Sequence, residues 1–206
     1  MNDITDDMFY NGIEDEAERE LLRAAGSILG LAKGLEKWLA EQKAATTPEM
    51  DIDQAIMKAA QAIAKATAAL VTAAAQAQKE RVAHGKEFAT PQNPYNPNPV
   101  WSEGLVSAGR AVADATRNIV TVANVNVMPG GEKSEDQLIA ASNEIAKTTA
   151  QLVTAARGKA DYDSPSLKKV EQSSNQVRQA TKMLVDVVKA IAAMKNEETD
   201  DTTDFS

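Results

Sequence analysis

A nine-residue pattern recurs four times along this chain, at residues 63–71, 112–120, 145–153 and 177–185. Each copy has an aliphatic residue, a threonine four positions later, and a Leu-Val or Ile-Val pair three positions after the threonine. Side chains at steps of four and three lie on one face of an α-helix. A repeated helical unit cannot cover its own apolar stripe, so equivalent faces must bury against one another. The sequence therefore predicts an all-α protein.

Breaks between the periodic segments predict where the helices begin and end. A first helix, which lacks the repeated pattern, is expected from about Ile13 to Lys43. Residues 88–99 hold four prolines, so they form an extended connector. The second helix is expected from a capping box at Asp51 to a left-handed cap at Gly85. The third is expected from Pro99 to about Met128. The fourth is expected to begin at the capping box at Ser134, and the fifth at Ser164-Pro165.

These boundaries predict one antiparallel five-helix bundle over residues 13–195. A flexible acidic leader is expected at residues 1–12 and a disordered acidic tail at residues 196–206. The first helix carries Gly26, Gly30 and Gly34 at four-residue spacing. Each costs about 1 kcal/mol of helix stability relative to alanine. The glycines either permit close contact with a neighbouring helix or leave this helix easy to detach.

The four repeated threonines lie on the predicted buried stripes. A buried threonine hydroxyl can donate to the carbonyl one turn earlier, which satisfies it locally. We therefore expect Thr67, Thr116, Thr149 and Thr181 to be structural residues.

The net charge of -8 is concentrated at the two ends of the chain. Residues 1–20 hold eight acids and one base (-7), and residues 197–206 hold five acids (-5), so removing -12 from -8 leaves +4 for residues 21–196. This excess is small beside the basic footprint of nucleic-acid-binding domains. Nucleic acid is therefore not an expected partner.

The inventory of chemically reactive residues is poor. The chain has one histidine and no cysteine, and it has no phosphate-binding glycine loop, metal-binding helix motif or nucleophile elbow. His84 lies near a predicted helix end, where it favourably contacts the helix C-terminus. We expect neither an enzyme nor a cofactor. No apolar run approaches the length of a membrane span, so a soluble cytoplasmic protein without direct membrane insertion is expected.

Several blocks of the sequence, in order, resemble the I/LWEQ module, also called the THATCH domain, of talins and huntingtin-interacting endocytic adaptors. Ile56 and Trp101 match the first letters of the family name, and Asp136 and Glu171 stand where the family has Glu and Gln. The resemblance covers roughly residues 17–193. Its blocks are residues 56–86, 101–108, 138–153 and 157–161.

This resemblance implies a five-helix bundle that binds the side of actin filaments (F-actin) and couples them to adhesion or endocytic complexes. It places the actin surface mainly on the third and fourth helices. A basic part of that surface lies at the end of the fourth helix, here Arg157, Gly158 and Lys159. The family commonly has Lys-Val-Lys there, so Gly158 replaces an apolar residue and is expected to weaken binding. Lys168 and Lys169, across a short connector, would extend the cluster.

The residue chemistry alone leaves two interpretations of this cluster open. Actin is acidic, so an exposed basic cluster would steer binding to it. Cations in the last turn of a helix also stabilise the helix C-terminus without any further role. The resemblance favours the first interpretation.

The resemblance also implies that the first helix restrains actin binding until it is displaced. The family's dimerising helix normally follows the bundle, whereas residues 197–206 are acidic and lack heptads, so a monomer is expected. An alternative function is a helical scaffold that binds an amphipathic partner helix and not actin. A membrane-surface module is a third alternative, for which no apolar wedge is evident. The choice between the talin and endocytic branches stays open.

Overall fold

The computed structural model describes the backbone of residues 2–158 and 164–203, and the side chains of residues 12–158 and 164–202. The described residues form helices and no strand. This confirms the predicted all-α, five-helix bundle. The helices are α1 (Asn2–Glu41), α2 (Pro48–Glu87), α3 (Pro99–Val127), α4 (Glu135–Arg157) and α5 (Pro165–Thr203).

Two of the predicted helix starts are confirmed by their caps. The Asn98 side chain accepts a hydrogen bond from the Trp101 amide at 3.0 Å, with Pro99 in the first turn. The Ser134 hydroxyl accepts one from the Gln137 amide at 3.3 Å. Each cap satisfies an amide that the helix itself leaves without a partner.

The boundaries of α2 differ from the prediction at both ends. Thr47, not Asp51, caps the helix, and its hydroxyl accepts from the Met50 amide at 3.2 Å. Gly85 lies inside the helix without a positive φ. A Cβ at Gly85 would lie 2.5 Å from Cε2 of Tyr95, so this glycine permits close packing of the connector against α2.

The first and last helices extend beyond their predicted ends. α1 begins at Asn2, where the sequence predicts a start at Ile13. Acidic residues in the first turns of a helix interact favourably with its dipole, and residues 3, 6 and 7 are aspartates. α5 continues to Thr203, past the predicted end near residue 195. No side chain described after Ile191 is buried, so this extension projects from the core as an exposed helix.

Helices α2 to α5 form a closed ring of neighbours, and α1 packs on the outside of the ring. Glu80 near the end of α2 contacts Ser166 at the start of α5, which shows that these helices run antiparallel. Among the described helices, α1 contacts α2 and α3 but neither α4 nor α5. Arg110 of α3 pairs with Glu20 of α1, and one heptad later Arg117 approaches Ser27. α1 and α3 are therefore parallel and in register.

The predicted apolar stripes form the core. Every predicted stripe residue of α2 and α4 is buried, from Ile56 to Ala74 and from Leu138 to Ala156. Small side chains let the helices approach closely. A Cβ at Gly109 of α3 would lie only 2.5 Å from Cδ2 of Leu21 in α1.

The repeated threonines are buried in three of the four helices. The Thr116 hydroxyl lies 2.8 Å from the Val112 carbonyl and 3.0 Å from the Thr67 hydroxyl, so these two repeats meet across the α2–α3 interface. Thr181 also bonds a carbonyl one turn earlier, at 3.0 Å, but is only partly buried. Thr149 is buried as expected, but its hydroxyl has no hydrogen-bond partner, so the expected bond to the carbonyl one turn earlier is absent there.

The glycines of α1 do not mediate packing. Gly26, Gly30 and Gly34 are exposed, and a Cβ added at any of them would meet no atom within 4 Å. The structure therefore excludes close helix contact as their role. Their remaining effect is to lower the intrinsic stability of α1.

Candidate functional site

Three exposed cations lie where α4 ends and α5 begins. Arg157 is the last residue of α4, and its side chain is 60% exposed. Lys168 and Lys169 lie in the first turn of α5 and are also exposed. We call Arg157, Lys168 and Lys169 the basic end. Lys159, the fourth predicted cation, lies outside the described residues.

An acidic residue lies among these cations. Glu171 accepts a hydrogen bond from Nη2 of Arg157 at 2.7 Å, and its own side chain is 53% exposed. An ion pair this exposed contributes about 0 to 1 kcal/mol, so it does not hold Arg157 in one geometry. The pair reduces the net charge of the basic end to +2 when Glu171 is counted with its three cations. Electrostatic attraction is therefore weaker than the cations alone indicate.

Gly158 is a structural cap. Its φ of +49° is disfavoured for residues with a side chain, and its amide donates to the Thr154 carbonyl at 3.2 Å. A Cβ here would lie 2.8 Å from Nε1 of Trp101 and 3.3 Å from Nη1 of Arg81. An apolar residue at this position would require a different chain path, so Gly158 sets the shape of the turn at the basic end.

The side chains of Arg81 and Trp101 lie against this turn. The Arg81 guanidinium lies 4.6 Å from the centre of the Trp101 ring, within the range of a cation–π interaction. Nη1 of Arg81 and Nε1 of Trp101 are both buried without a hydrogen-bond partner. Sequence analysis identified Trp101 but not Arg81. In the sequence, Arg81 is only a cation near the end of α2, and most such cations are exposed residues without a specific contact.

Glu80 anchors the start of α5. Its carboxylate accepts from the hydroxyls of Ser164 and Ser166 and from the Ser166 amide at 3.3 Å. Burial raises the pKa of Glu80, but these hydrogen bonds together outweigh burial and lower the pKa below its ordinary value of 4.5. The Ser164 hydroxyl also accepts from the Leu167 amide at 3.2 Å, which confirms the predicted cap of α5. Glu80 thereby fixes the helix that presents Lys168 and Lys169.

A buried carboxylate joins α1 to the connector before α3. Glu14 is 4% exposed and accepts a hydrogen bond from the Tyr95 hydroxyl at 2.7 Å and from the Asn98 amide at 3.2 Å. Burial and the Glu14 hydrogen bond raise the pKa of Tyr95, so its hydroxyl stays protonated and donates at neutral pH. We call Glu14, Tyr95 and Asn98 the α1 lock. Sequence analysis did not identify it.

Metal-ligating clusters and membrane-spanning helices are both absent from the part of the chain that the structure describes. No group of three metal-ligating side chains lies together among them. His84 is near the end of α2 with its ring centre 4.6 Å from that of Phe88. None of the described helices is long and apolar enough to cross a bilayer.

Comparisons with known proteins place this geometry in context. The model of the I/LWEQ domain family matches residues 95–206. The chain is 32% identical over 201 residues to huntingtin-interacting protein 1 of Homo sapiens. It is 39% identical over 158 residues to Talin-B of Dictyostelium discoideum, and 41% identical over 183 residues to Talin-1 of Gallus gallus.

The aligned parts are most of this chain but little of those relatives. The alignment with huntingtin-interacting protein 1 covers 97% of this chain and 19% of that protein. The alignment with Talin-B covers 75% of this chain and 6% of that protein. The alignment with Talin-1 covers 88% of this chain and 7% of that protein. Both talins and a huntingtin-interacting protein match, so these comparisons do not separate the two branches.

Proposed function

Because this chain belongs to the I/LWEQ domain family, a non-enzymatic family of actin-binding modules, we propose that it binds the sides of actin filaments through its basic end. The observation that carries the proposal is the exposure of Arg157, Lys168 and Lys169 at one end of a rigid bundle. Lys159 is proposed as a fourth contact from the sequence, and Gly158 as the residue that sets the turn. A cytoplasmic, cytoskeleton-associated protein follows from this function.

Electrostatic complementarity supports the assignment. An acidic filament attracts exposed cations, which raises the association rate and fixes the orientation of binding. The weak Arg157–Glu171 pair lets Arg157 exchange its partner for a filament carboxylate at small cost. Binding at such a solvent-exposed surface is screened by salt. Filament affinity should therefore fall as ionic strength rises.

Co-sedimentation with actin filaments tests the basic end. Reversing two charges in Arg157→Glu/Lys168→Glu should lower filament affinity about tenfold or more, because each lost contact becomes a repulsion. Lys189→Glu in the wild-type protein is the matched control for charge reversal on an exposed residue of α5. It lies about 30 Å along the helix from Lys169 and should leave affinity unchanged. Equal binding by the double variant and wild type would refute the basic end as the filament site.

We further propose that α1 restrains filament binding, and two features support this. α1 packs on α3, one of the helices that the family resemblance places in the actin surface. The α1 lock contributes to its docking, and the outward glycines lower the intrinsic helix stability of α1. Displacing α1 would require breaking the α1 lock, and the low intrinsic helix stability of α1 would make that displacement easier.

The same assay tests the restraint. Tyr95→Phe removes the hydroxyl that donates to Glu14 and should loosen α1, which raises filament affinity severalfold. Removing residues 1–45 is the limiting case and should raise it at least as much. If neither change increases binding, α1 does not restrain this module.

A further inference from the structure

A strip of α2 remains uncovered between α1 and α5. Both helices pack on α2, but over the residues that the structure describes they make no contact with each other. The strip has steps of four and three residues, the same spacing as the buried stripe of α2. All of its residues are exposed or only partly buried, and its central members are Lys58, Ala62, Lys65, Ala69, Thr72 and Gln76.

The strip forms the floor of a groove of about 470 Å³. Leu29 of α1 forms one wall and is 45% exposed, and Gln176 of α5 lies on the other wall. Met183, two helical turns beyond Gln176 on the same face of α5, is 46% exposed. Ala69 is small, so the floor allows a further helix to approach closely. We call this the α2 groove.

The charged residues along the floor of the α2 groove are all positive. α2 contains no acidic residue between Asp53 and Glu80, but it contains three lysines in that interval. Lys65 lines the groove, and Lys169 of α5 lines its opposite edge. α5 likewise has no acidic residue between positions 171 and 186.

We propose that the α2 groove binds an acidic amphipathic helix of a partner protein, as an added helix that leaves α1 docked. Small apolar side chains at one-turn spacing would contact the alanine floor and Leu29, as anchors do in other helix-in-groove complexes. Glu or Asp residues beside them would face Lys65 and Lys169. The floor of the groove runs from Lys65 to Gln76 and is about 17 Å long, so it would contact about three turns of the partner helix.

Fluorescence anisotropy with a synthetic peptide tests this site in the full chain. The probe is a helical peptide of about 20 residues with Leu and Ala at positions a and d and Glu at e and g, and a matched peptide has Lys in place of Glu. The acidic peptide should bind with a dissociation constant of about 10 to 100 µM, typical of a small interface, and the basic peptide should not bind.

Two variants locate the binding. Ala69→Trp fills the floor at an exposed helical position and should abolish binding while the circular dichroism spectrum is unchanged. Lys65→Glu should weaken binding at least tenfold. Lys147→Glu makes the same charge change at an exposed position on α4 and should have no effect.

Four outcomes would overturn the proposal. The acidic peptide fails to bind, or Ala69→Trp binds it as well as wild type. Alternatively, the chain self-associates without binding peptide and Ala69→Trp abolishes this, which assigns the groove to a second copy. Loss of actin co-sedimentation in Lys65→Glu would assign the groove to the filament surface. Filament binding retained in Lys65→Glu would show that the groove floor is not part of the filament surface, although Lys169 lies at the edge of both sites.

Discussion

Replacing the three outward glycines of α1 by alanine should stabilise the protein. The structure leaves space at Gly26, Gly30 and Gly34, since an added Cβ meets no atom within 4 Å at any of them. None has a positive φ, so alanine fits the existing backbone. The variant therefore gains helix propensity and loses unfolded-chain entropy without new strain.

The expected size of the effect follows from these propensities. Each replacement contributes about 0.5 to 1 kcal/mol, so the triple variant should gain about 1.5 to 3 kcal/mol in its free energy of unfolding. For a chain of this size, that corresponds to a melting temperature higher by about 3 to 12 °C. Urea unfolding followed by far-UV circular dichroism measures the gain.

Gly109→Ala is the matched control, because the same chemical change meets a filled space. Its Cβ would lie 2.5 Å from Cδ2 of Leu21, a residue only 1% exposed. Overpacking of this kind should cost about 1 to 3 kcal/mol. An unchanged or lower stability of the triple variant, or a gain in Gly109→Ala, would refute the assignment of the α1 glycines to an open face.

Two further predictions concern polar side chains at helix contacts. Glu80→Gln should destabilise the chain by about 1 kcal/mol at neutral pH, because the amide accepts more weakly from Ser164 and Ser166. The pKa of Glu80 is lowered by folding, so its stabilisation is complete above pH 4.5 and is lost as pH falls through the folded pKa. Acid titration of stability should accordingly be steeper for wild type than for Glu80→Gln, and parallel curves would contradict the anchor. Thr149→Val removes a buried hydroxyl without a partner and should stabilise the protein by about 1 kcal/mol. Thr116→Val loses two hydrogen bonds and should destabilise the protein by about 1 kcal/mol. Thermal melts in which Thr116→Val is the more stable variant would reject this distinction.

The sequence predicts the helices and their buried faces because both depend on local spacing. The stripes of α2 and α4 are buried at every predicted position. Caps such as Asn98 and Ser134 are equally local, since acceptor and donor lie three residues apart. The ends of α1 and α5 were not predicted, because acidic sequences are compatible with both exposed helix and coil.

Contacts between distant parts of the chain could not be read from the sequence. Tyr95 meets Glu14 across 81 positions, and only the packing of α1 on α3 brings them together. Gly158 shows the same limit, because its role as a cap against Trp101 depends on where α3 begins. Cation spacing indicated the basic end, but the pairing of Arg157 with Glu171 required the fold.

Electron cryo-microscopy of actin filaments decorated with the full chain tests the central proposal most directly. The account predicts density in which the junction of α4 and α5 faces the filament, with Arg157, Lys168 and Lys169 beside acidic residues of actin. A decorated filament in which this junction points to solvent would contradict it.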